Sequence, residues 1–459
     1  MKKRIGIIGL LFILGLYVSA AEPRLPEEAP KTLYPLKQCV AVQDIAPYID
    51  KVEVVTLEAT PKSLIGEMNK MVLRPDGAFV LLTHTGIYVF DKTGKFLFPV
   101  GRIGEGPGEY VRASDLCLSA DGRSILVLTA YRQVLRYQAD DGRFVKTIAL
   151  DPALQHSCDG IAPAPNDGFC LYAGNPADAN DFATPFNCLL QYDAEGKQVA
   201  RSLPRKDFGM QVATITQAAG NRYILRPQEG DNLAYRTDAR GEFHPWLRID
   251  FGERAVPSGY IKKLGGSVWK HLQTFLRSDY YKMPVYIEQT RQAVYFTAAG
   301  PEARSYEFLY FTGAGRGIQW KSEALSVTPF LIGASDDGWF YGVYDDAKSY
   351  SAAELATFSP LKRYLVEQVG VKVSDAGIRR WSKSASNPTN NAARAELYGA
   401  RDVRWEREAK QEGWYGAKMR GKFSMSLLHV GNGTGSAMLV KESVRRVAAP
   451  FVMQCTDGT

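Results

Sequence analysis

Apolar positions along the chain fall into short runs, which are separated by turns that carry Asp, Asn and Gly. Six times, two such runs flank one tight polar turn, at Asp76-Gly77, Asp121-Gly122, Asp167-Gly168, Gly220-Asn221, Thr290-Arg291 and Asp337-Gly338. Asp-Gly and Gly-Asn supply the positive φ angles that two-residue hairpin turns require, so each pair of runs is predicted to be a β-hairpin. Thr290-Arg291 is the weakest of these signals.

Between the hairpins runs a second repeated unit, a strand, an Asp- or Gly-bearing turn and a further strand. Its copies are VFDKTGKFL, RYQADDGRFV, QYDAEGKQV, YRTDARGEF and, more loosely, YFTGAGRGI. The hairpin turns recur every forty-five to seventy residues, which is the period of a four-stranded propeller blade. The pattern predicts an all-β fold, a six-bladed β-propeller of four-stranded antiparallel blades over residues 44–390. A β-sandwich or a β-solenoid fits this period less well.

Three segments depart from the repeat. The run KVEVVTLEAT at 51–60 has no local hairpin partner, and we expect it to close the ring as one strand of the last blade. Apolar residues at helical spacing predict a short helix over 268–278. A capping-box pattern opens the segment 351–370, where Pro360 must kink or split the helix.

The N-terminus has the pattern of a signal peptide. A basic start (Lys2, Lys3 and Arg4) precedes an apolar run and a small-residue site, which predicts a signal peptide over 1–20 with cleavage between Ala20 and Ala21. An uncleaved anchor is the alternative. Because no cysteine lies near the site for lipid attachment, the mature protein is expected to be periplasmic or secreted, with no stable membrane span. Residues 21–43 are predicted to be a Pro-rich linker.

Charge and cysteine usage narrow the classes of function. Loss of the signal peptide lowers the formal net charge from +7 to +4, which gives no case for nucleic-acid binding. None of the six cysteines shows the close paired spacing of a zinc or redox site. In an oxidising compartment Cys158, Cys170 and Cys188 could supply a disulfide, whereas Cys117 is expected to be a core residue.

The C-terminal segment 391–459 breaks the strand-turn pattern. It holds eleven Lys and Arg against seven Asp and Glu, and it is predicted to be an atypical basic tail. One interpretation is a divergent appendage of the propeller. A sharper hypothesis is that the tail is unrelated to the propeller and results from an altered reading frame.

The residues 44–150 resemble the opening of the bacterial extracytoplasmic six-bladed β-propeller proteins, distant relatives of the NHL-repeat propellers. The most specific likeness is the loop VGRIGEGPGEY, in which Gly101, Gly104, Gly106, Pro107, Gly108, Glu109 and Tyr110 match the family pattern G-x-x-G-x-G-P-G-E-Y. The resemblance implies an exported propeller but little chemistry. The family closes its last blade with a strand after an Asn-Pro pair. Asn387-Pro388 is present, but a strand-like sequence does not follow it.

The glycine-rich loop lacks the residues of a phosphate site. A P-loop needs Gly-Lys-Ser/Thr opening a helix, and a dinucleotide fingerprint needs glycine where Glu109 stands. We interpret the glycines as allowing close backbone approach between two blades. Arg102, Glu105 and Glu109 could also line the channel mouth and contact a ligand. The candidate ligand-binding set is His84, Arg102, Glu105, Glu109, Tyr110 and Asp115.

The sequence indicates no catalytic residue, no metal ligands and no cofactor. The five histidines are not at ligand spacing to one another. Asp115, Asp121, Asp336 and Asp337 could suggest Ca²⁺, but Asp121 and Asp337 are explained by turns, whereas Asp115 has no turn role. Aromatic residues at strand ends, Tyr110, Tyr131, Tyr172, Trp339, Tyr341 and Tyr344, could stack on sugars or pack between blades.

The sequence therefore favours an exported binding module over an enzyme. Its ligand is expected to be a glycan or a protein partner, bound at one mouth of the propeller channel. The alternative is a metal-dependent hydrolase or lyase that acts on a carbohydrate or lactone. The alternative requires that at least three Asp, Glu, Asn or His side chains converge in the channel.

Overall fold

A computed structural model describes most of the chain between residues 30 and 368, together with a C-terminal segment. Apart from isolated residues, the described ranges are 30–58, 60–63, 68–130, 133–150, 156–158, 160–173, 175–176, 187–204, 214–226, 232–257, 277–282, 286–321, 331–345, 352–356, 358–368 and 448–455.

Almost all regular structure in these ranges is β-strand. The strands are β1 (Lys31–Leu33), β2 (Cys39–Ala41), β3 (Ile49–Val54), β4 (Met68–Leu73), β5 (Phe79–Thr83), β6 (Gly86–Phe90), β7 (Phe96–Pro99), β8 (Arg102–Ile103), β9 (Glu109–Tyr110), β10 (Ala113–Leu118), β11 (Ser124–Thr129), β12 (Gln133–Gln138), β13 (Phe144–Ala149), β14 (His156–Ser157), β15 (Gly160–Pro163), β16 (Phe169–Tyr172), β17 (Asn175–Pro176), β18 (Asn187–Tyr192), β19 (Gln198–Pro204), β20 (Thr214–Ala218), β21 (Arg222–Arg226), β22 (Leu233–Thr237), β23 (Phe243–Ile249), β24 (Ile287–Gln289), β25 (Ala293–Ala299), β26 (Ser305–Phe311), β27 (Arg316–Lys321), β28 (Leu331–Ala334), β29 (Trp339–Asp345) and β30 (Ala448–Cys455). The helices are α1 (Pro35–Gln38), α2 (Ala352–Ala356) and α3 (Pro360–Gln368).

The strands of the described residues form six sheets of four or five strands and two small two-stranded pairs. Five of the sheets are built around strands close in sequence: sheet 1 is β4–β7, sheet 2 is β10–β13, sheet 3 is β15, β16, β18 and β19, sheet 4 is β20–β23 and sheet 5 is β24–β27. Sheet 6 is composite, in the order β28, β29, β30 and β3. These sheets are arranged as a β-propeller, so the predicted all-β propeller fold is confirmed.

All six predicted hairpins are present as antiparallel pairs, including the weak one at Thr290-Arg291. The prediction of two-residue turns was wrong in detail. In the first hairpin the N–H of Arg74 donates to the carbonyl of Ala78 and the N–H of Gly77 donates to that of Arg74. This is a three-residue loop with Gly77 at φ +84°. The second repeated unit forms the outer strand pairs of sheets 1 to 5.

The first strand of each sheet lies at the centre of the molecule. These inner strands, β4, β10, β15, β20, β24 and β28, contact one another in chain order, and β28 contacts β4. The space that they surround is the central channel. The hydrophobic core is divided among clusters that lie between sheets: one joins sheets 1 and 2, another joins sheets 4 and 5, and another joins sheets 5 and 6. Packing between blades therefore stabilises the fold.

Part of the segment predicted to be a linker is structured. β1 adds to the outer edge of sheet 4 as a parallel strand on β23, and β2 adds to sheet 5 on β27. β3 then forms the outer strand of sheet 6. We call residues 31–54 the N-terminal strap, because they cross the outer edges of three sheets in succession. Each addition covers an edge that would otherwise expose its backbone donors and acceptors.

Sheet 6 combines both ends of the described chain. The expectation that the early strand near 51–60 joins the end of the repeat is confirmed by β3, although the strand begins and ends earlier. β3 pairs with β30, and β30 pairs with β29. β30 lies in the segment predicted to be an atypical tail, so residues 448–455 are part of the propeller.

The remaining local predictions have mixed outcomes. Pro360 does split the segment 351–370, because it is the first residue of α3, where Ser359 Oγ accepts the backbone N–H of Lys362 at 3.3 Å. The expected signal peptide and most of the expected helix over 268–278 lie outside the described residues. Cys117 is fully buried as expected. None of the five cysteines whose side chains are described forms a disulfide. No described helix is long and apolar enough to cross a membrane.

Candidate functional site in the channel

Two charged side chains from neighbouring inner strands meet beside the channel. Lys70 is the third residue of β4 and Asp115 is the third residue of β10. The Lys70 Nζ donates to Asp115 Oδ1 at 2.6 Å, and the backbone N–H of Ile161 donates to Asp115 Oδ2 at 2.9 Å. Ile161 lies on β15, so this one carboxylate connects sheets 1, 2 and 3. Of the predicted site residues, Asp115 is the one that the structure places at the channel.

The Lys70–Asp115 pair lies largely out of solvent. The Lys70 and Asp115 side chains are 14% and 9% exposed. Burial raises the pKa of Asp115, and the charge and hydrogen bond of Lys70 and the N–H of Ile161 oppose that rise. A carboxylate in this position depends on its partners, because desolvation of an unpaired charge is costly.

A second buried carboxyl group lies on the inner strand of sheet 5. Glu288 lies on the inner strand β24 and has no solvent-exposed surface. Among the residues that the structure describes, neither of its carboxyl oxygens has a hydrogen-bond partner. Burial raises the pKa of Glu288 well above its usual value, and the charge of Lys70 only partly offsets this. Glu288 was not identified from the sequence, because it lies in the hairpin with the weakest turn signal and in no motif.

At one end of the channel, side-chain amides connect strands of different sheets. Gln217, on β20, accepts the backbone N–H of Leu73 at 2.6 Å and donates to the carbonyl of Leu73 at 2.9 Å. Leu73 lies on β4, so Gln217 pairs with its backbone across the channel as a neighbouring strand would. Asn221 extends the network, because it accepts from Gln217 at 3.0 Å and donates to the carbonyl of Ser119 at 3.0 Å. Sheets 1, 2 and 4 are therefore joined at this end.

The opposite end of the channel is where the inner strands begin. Lys70 and Asp115 lie in the first half of their strands, on that side of the Gln217 network. The β5–β6 turn and the crossing from β7 to β10 lie at this end too, because successive strands of sheet 1 alternate in direction. Lys70 and Asp115 therefore lie toward the same end of the molecule as His84 and the glycine-rich loop.

The glycine-rich loop packs over the outer strands of sheet 2. Tyr137, on β12, donates its hydroxyl to the carbonyl of Gly108 at 3.0 Å. Glu109 pairs with Arg102 and accepts the backbone N–H of Gly106 at 2.9 Å. These hydrogen bonds lower the pKa of Glu109. Arg102 and Glu105 are exposed. These contacts therefore fix the conformation of the loop, which is the connection from sheet 1 to sheet 2.

Tyr110 is the last residue of this loop, and its side chain packs inside the protein. It is buried, and burial raises its pKa to about 12. Its hydroxyl accepts the backbone N–H of Ile87 at 3.0 Å and donates to the carbonyl of Val100 at 3.1 Å. It therefore fixes the end of sheet 1 to the crossing.

Replacement of Gly108 tests the packing of this loop. Gly108 has φ +73°, and an added Cβ would lie 2.7 Å from Cγ of Phe144. We expect Gly108→Ala to lower the free energy of unfolding by about 2–4 kcal/mol through backbone strain and overpacking. Gly313→Ala is the matched control, because a Cβ there meets no atom within 4 Å. Equal urea midpoints for the two variants would contradict the expectation.

The remaining residues that the sequence predicted as ligand contacts differ in how far they are buried. His84 is exposed in the turn between β5 and β6. Of the aromatic candidates, Tyr172 is fully buried, and Trp339 lies under the ammonium group of Lys51 at 5.8 Å. Tyr131 and the side chain of Tyr344 lie outside the described residues. Tyr110 and Tyr172 therefore pack within the propeller.

Among the described residues, one group of side chains is close enough to hold a metal ion. It consists of Asp238, Glu242 and His244, at the turn between β22 and β23. This turn lies between the outer strands of sheet 4, away from the channel. Arg240 forms ion pairs with both carboxylates, and Asp238 also accepts two backbone N–H groups. The hydrogen bonds of the turn and the ion pairs with Arg240 therefore account for the positions of the two carboxylates.

The ionisation of Glu288 should make stability depend on pH. Its folded pKa lies above its unfolded pKa, so its favourable contribution is complete below the unfolded value and is lost as pH rises through the folded value. Glu288→Gln cannot ionise. We expect the stability of this variant relative to the natural protein to rise between pH 5 and pH 8, by about 1.4 kcal/mol for each unit between the two pKa values.

Urea unfolding at four pH values measures this difference. The exposed Glu302 supplies the control variant, Glu302→Gln, for which the difference should be flat. A flat difference for Glu288→Gln as well would contradict the position assigned to its carboxyl group.

The comparisons with known proteins agree with the fold. Residues 38–353 match the family described as a domain of unknown function, DUF4934, which is more than half of the chain. The chain belongs to the DUF4934 family. No curated protein matches this DUF4934 chain.

Solved structures add a likeness of fold. A protein of Bacteroides fragilis described as exported is similar to this DUF4934 protein with 16% identity and a TM-score of 0.54, over 75% of this chain and 94% of that one. At that identity the likeness shows the fold alone. The extracellular domain of a one-component system of B. thetaiotaomicron aligns with 13% identity and a TM-score of 0.29, over 59% of this chain and 29% of that one.

Proposed function

We propose that this DUF4934 protein is an exported six-bladed β-propeller that acts as a binding module, with its ligand at the channel end where the inner strands begin. The order of contacts among the six inner strands supports six blades, with sheet 6 as the closing blade. The basic and apolar N-terminus supports export to the periplasm or beyond. The likeness in fold to a protein described as exported is in keeping with this. The distant kinship with NHL-repeat propellers is proposed from the resemblance over residues 44–150, of which the loop 101–110 is the most specific part.

The observation that carries the proposal is the partly exposed Lys70–Asp115 pair on the inner strands, with the Gln217 network at the other end of those strands. A few charged groups that converge at one place are typical of ligand-binding sites. The alternative, a metal-dependent hydrolase or lyase, requires three convergent donors. The described inner strands carry two carboxyl groups, Asp115 and Glu288, and Asp115 is already paired with Lys70, which favours binding over metal-assisted chemistry.

The ligand class is proposed to be a glycan or a protein partner. Asp115 would contact it in the channel. His84, Arg102, Glu105, Glu109 and Tyr110 belong to the rim at the same end, where the exposed ones could add contacts. Neither nucleic acid nor a membrane is proposed as a partner, and Ca²⁺ is the possible cofactor.

A binding screen on the mature chain tests the proposal. Glycan arrays and crosslinking to envelope proteins would be run with and without Ca²⁺, using the natural protein, Lys70→Gln and Lys146→Gln. Lys146 forms a similar ion pair with Glu195, at 2.8 Å, on the outer surface. We expect Lys70→Gln to lose the bound ligand and Lys146→Gln to keep it. Failure of the natural protein to retain any glycan or protein would overturn the proposal.

A further inference from the structure

The outer edges of most sheets are protected against pairing with other chains, as natural sheets require. On sheets 4 and 5, the edge strands β23 and β27 each carry a parallel strand of the N-terminal strap. On sheet 6, the edge strand β3 exposes Lys51 and Glu53, and charged side chains discourage pairing. On sheet 1, the backbone N–H of Phe96 in β7 donates to the carboxylate of Glu58 at 2.9 Å.

Turns of the following sheet add to this protection. A Cβ added to Gly142, in the outer turn of sheet 2, would lie 2.8 Å from the carbonyl oxygen of Pro99 in β7. A Cβ added to Gly196, in the outer turn of sheet 3, would lie 3.1 Å from the carbonyl oxygen of Ala149 in β13. The outer turn of each of these sheets therefore packs against the outer strand of the sheet before it.

The outer strand of sheet 3, β19, breaks this series. A Cβ added to Gly241, in the outer turn of sheet 4, would meet Ala164 at 3.0 Å, next to the inner strand β15 and not on β19. Among the described residues, no strand pairs with the outer edge of β19. β19 has seven residues, more than β7 or β13, and residues 199–202 are exposed in succession. Both faces of this part of the strand are therefore open.

The side chains of β19 indicate what could pair with it. Val199, which is 54% exposed, and Arg201 lie on one face of the strand, and the small residues Ala200 and Ser202 lie on the other. Arg201 is exposed and forms no ion pair with a described residue. The extended edge ends at Ser202, because Leu203 has φ +57°. A strand added here would therefore place an apolar side chain beside Val199 and a carboxylate beside Arg201.

The strap shows that an edge of this length is sufficient. β1 and β2 pair with outer strands over three residues each. The segment that precedes the strap, residues 21–29, is a poor occupant of β19, because Pro23 and Pro26 have no N–H to donate. An extended segment of another protein does not have this restriction.

We propose that the outer edge of β19 binds an extended acidic segment of a partner protein, which adds to sheet 3 as a further strand. Backbone hydrogen bonds would supply affinity, and the contacts with Val199 and Arg201 would supply specificity. This surface is separate from the channel, so the inference goes beyond the proposed function.

Fluorescence anisotropy with labelled synthetic peptides on the mature chain tests this surface. The probe is TVTETVT, which carries valine and glutamate on one face of a strand and threonine on the other. We expect it to bind saturably, and the same peptide with lysine in place of glutamate to bind at least about fivefold more weakly. A peptide with proline at the two positions before glutamate keeps the charge. It should also bind at least about fivefold more weakly, because neighbouring N–H groups point to opposite edges and one donor is lost in either orientation.

A charge reversal in the protein makes the test specific. Arg201→Glu should weaken the glutamate peptide at least about fivefold and should bind the lysine peptide more tightly than the natural protein does. Arg143→Glu is the matched control, because Arg143 is 73% exposed in the turn before β13. Both Arg143→Glu and Lys70→Gln should bind the glutamate peptide like the natural protein.

The possible results separate this inference from the proposed function. Absence of saturable binding, or equal affinity of Arg201→Glu and Arg143→Glu for the probe, would overturn the inference, and a ligand that depends on Lys70 would still support the channel site. Much tighter binding by a chain that starts at residue 30 would show that residues 21–29 occupy the edge. A dimer that is lost in Arg201→Glu would show that a second copy does. Either of these results would also overturn the inference.

Discussion

A chain that ends at residue 447 is expected to lose its cooperative unfolding transition, whereas a chain that ends at residue 455 keeps it. The first truncation removes β30, which pairs with β29 on one side and with β3 on the other. At about 1 kcal/mol for each net hydrogen bond, loss of both ladders costs a large part of the ~5–15 kcal/mol that stabilises a typical folded protein. It also leaves β3 and β29 without the strand that joins them.

Circular dichroism against temperature, together with limited proteolysis, compares the two truncated chains. A synthetic peptide of residues 446–459 added to the shorter chain is expected to restore the transition. If both truncated chains unfold at the same temperature, β30 does not close sheet 6. The longer chain is the control, because it lacks only residues 456–459.

Lys70→Met is expected to have the second largest effect, a loss of about 3–5 kcal/mol in the free energy of unfolding at neutral pH. The substitution keeps the apolar stem but leaves the buried carboxyl of Asp115 without its cation. Because burial raises the pKa of Asp115, the loss should shrink as the pH falls and the carboxyl becomes protonated. Urea unfolding at pH 4.5 and pH 7.5 measures both the size and the direction of the effect.

Two further variants make this expectation specific. Lys146→Met removes the partly exposed partner of the exposed Glu195, and it should cost less than about 1 kcal/mol. The double variant Lys70→Met/Asp115→Asn removes both charges and keeps an acceptor for the N–H of Ile161, so it should recover much of the loss. A Lys70→Met protein as stable as Lys146→Met would show that the pair is not buried as described.

The repeat architecture could be predicted from the sequence because it depends on local signals. Each hairpin has a turn of Gly, Asp or Asn between two apolar runs, and these residues determine the local backbone whatever the rest of the chain does. The Thr290-Arg291 hairpin has a weaker signal but a clear period. The loop types were not predicted, because Gly77 fits a three-residue loop with a bulge as well as a two-residue turn.

The position of β30 in sheet 6 could not be predicted from the sequence, because it depends on pairing with strands that are distant in sequence. β30 contains Pro450, which argues against an inner strand of a sheet. Its ladder with β3 begins only at Phe451, however, so Pro450 lies beyond the part that is paired on both sides. The N-terminal strap was missed for the same reason, since its short strands are fixed by β23 and β27 and not by their own sequence.

Of the residues of the candidate site, the sequence marked one and missed two. Asp115 was noted because no turn explains an aspartate in that position, and the structure places it between three sheets. Lys70 and Glu288 lie in apolar strands more than two hundred residues apart, and no local pattern marks either of them. They face the same channel only because the sheets close into a ring.

The N-terminal strap has a consequence for the order of events during synthesis. Strands β1, β2 and β3 leave the ribosome before any sheet exists, yet their partners are β23, β27 and β30, and the last of these ends at Cys455. Contacts this distant in sequence form slowly, because a long loop must close first. β1 and β2 can therefore pair once the chain extends to β23 and β27, whereas β3 stays without its partner until nearly the whole polypeptide has been made. A chain that ends before β30 cannot complete sheet 6.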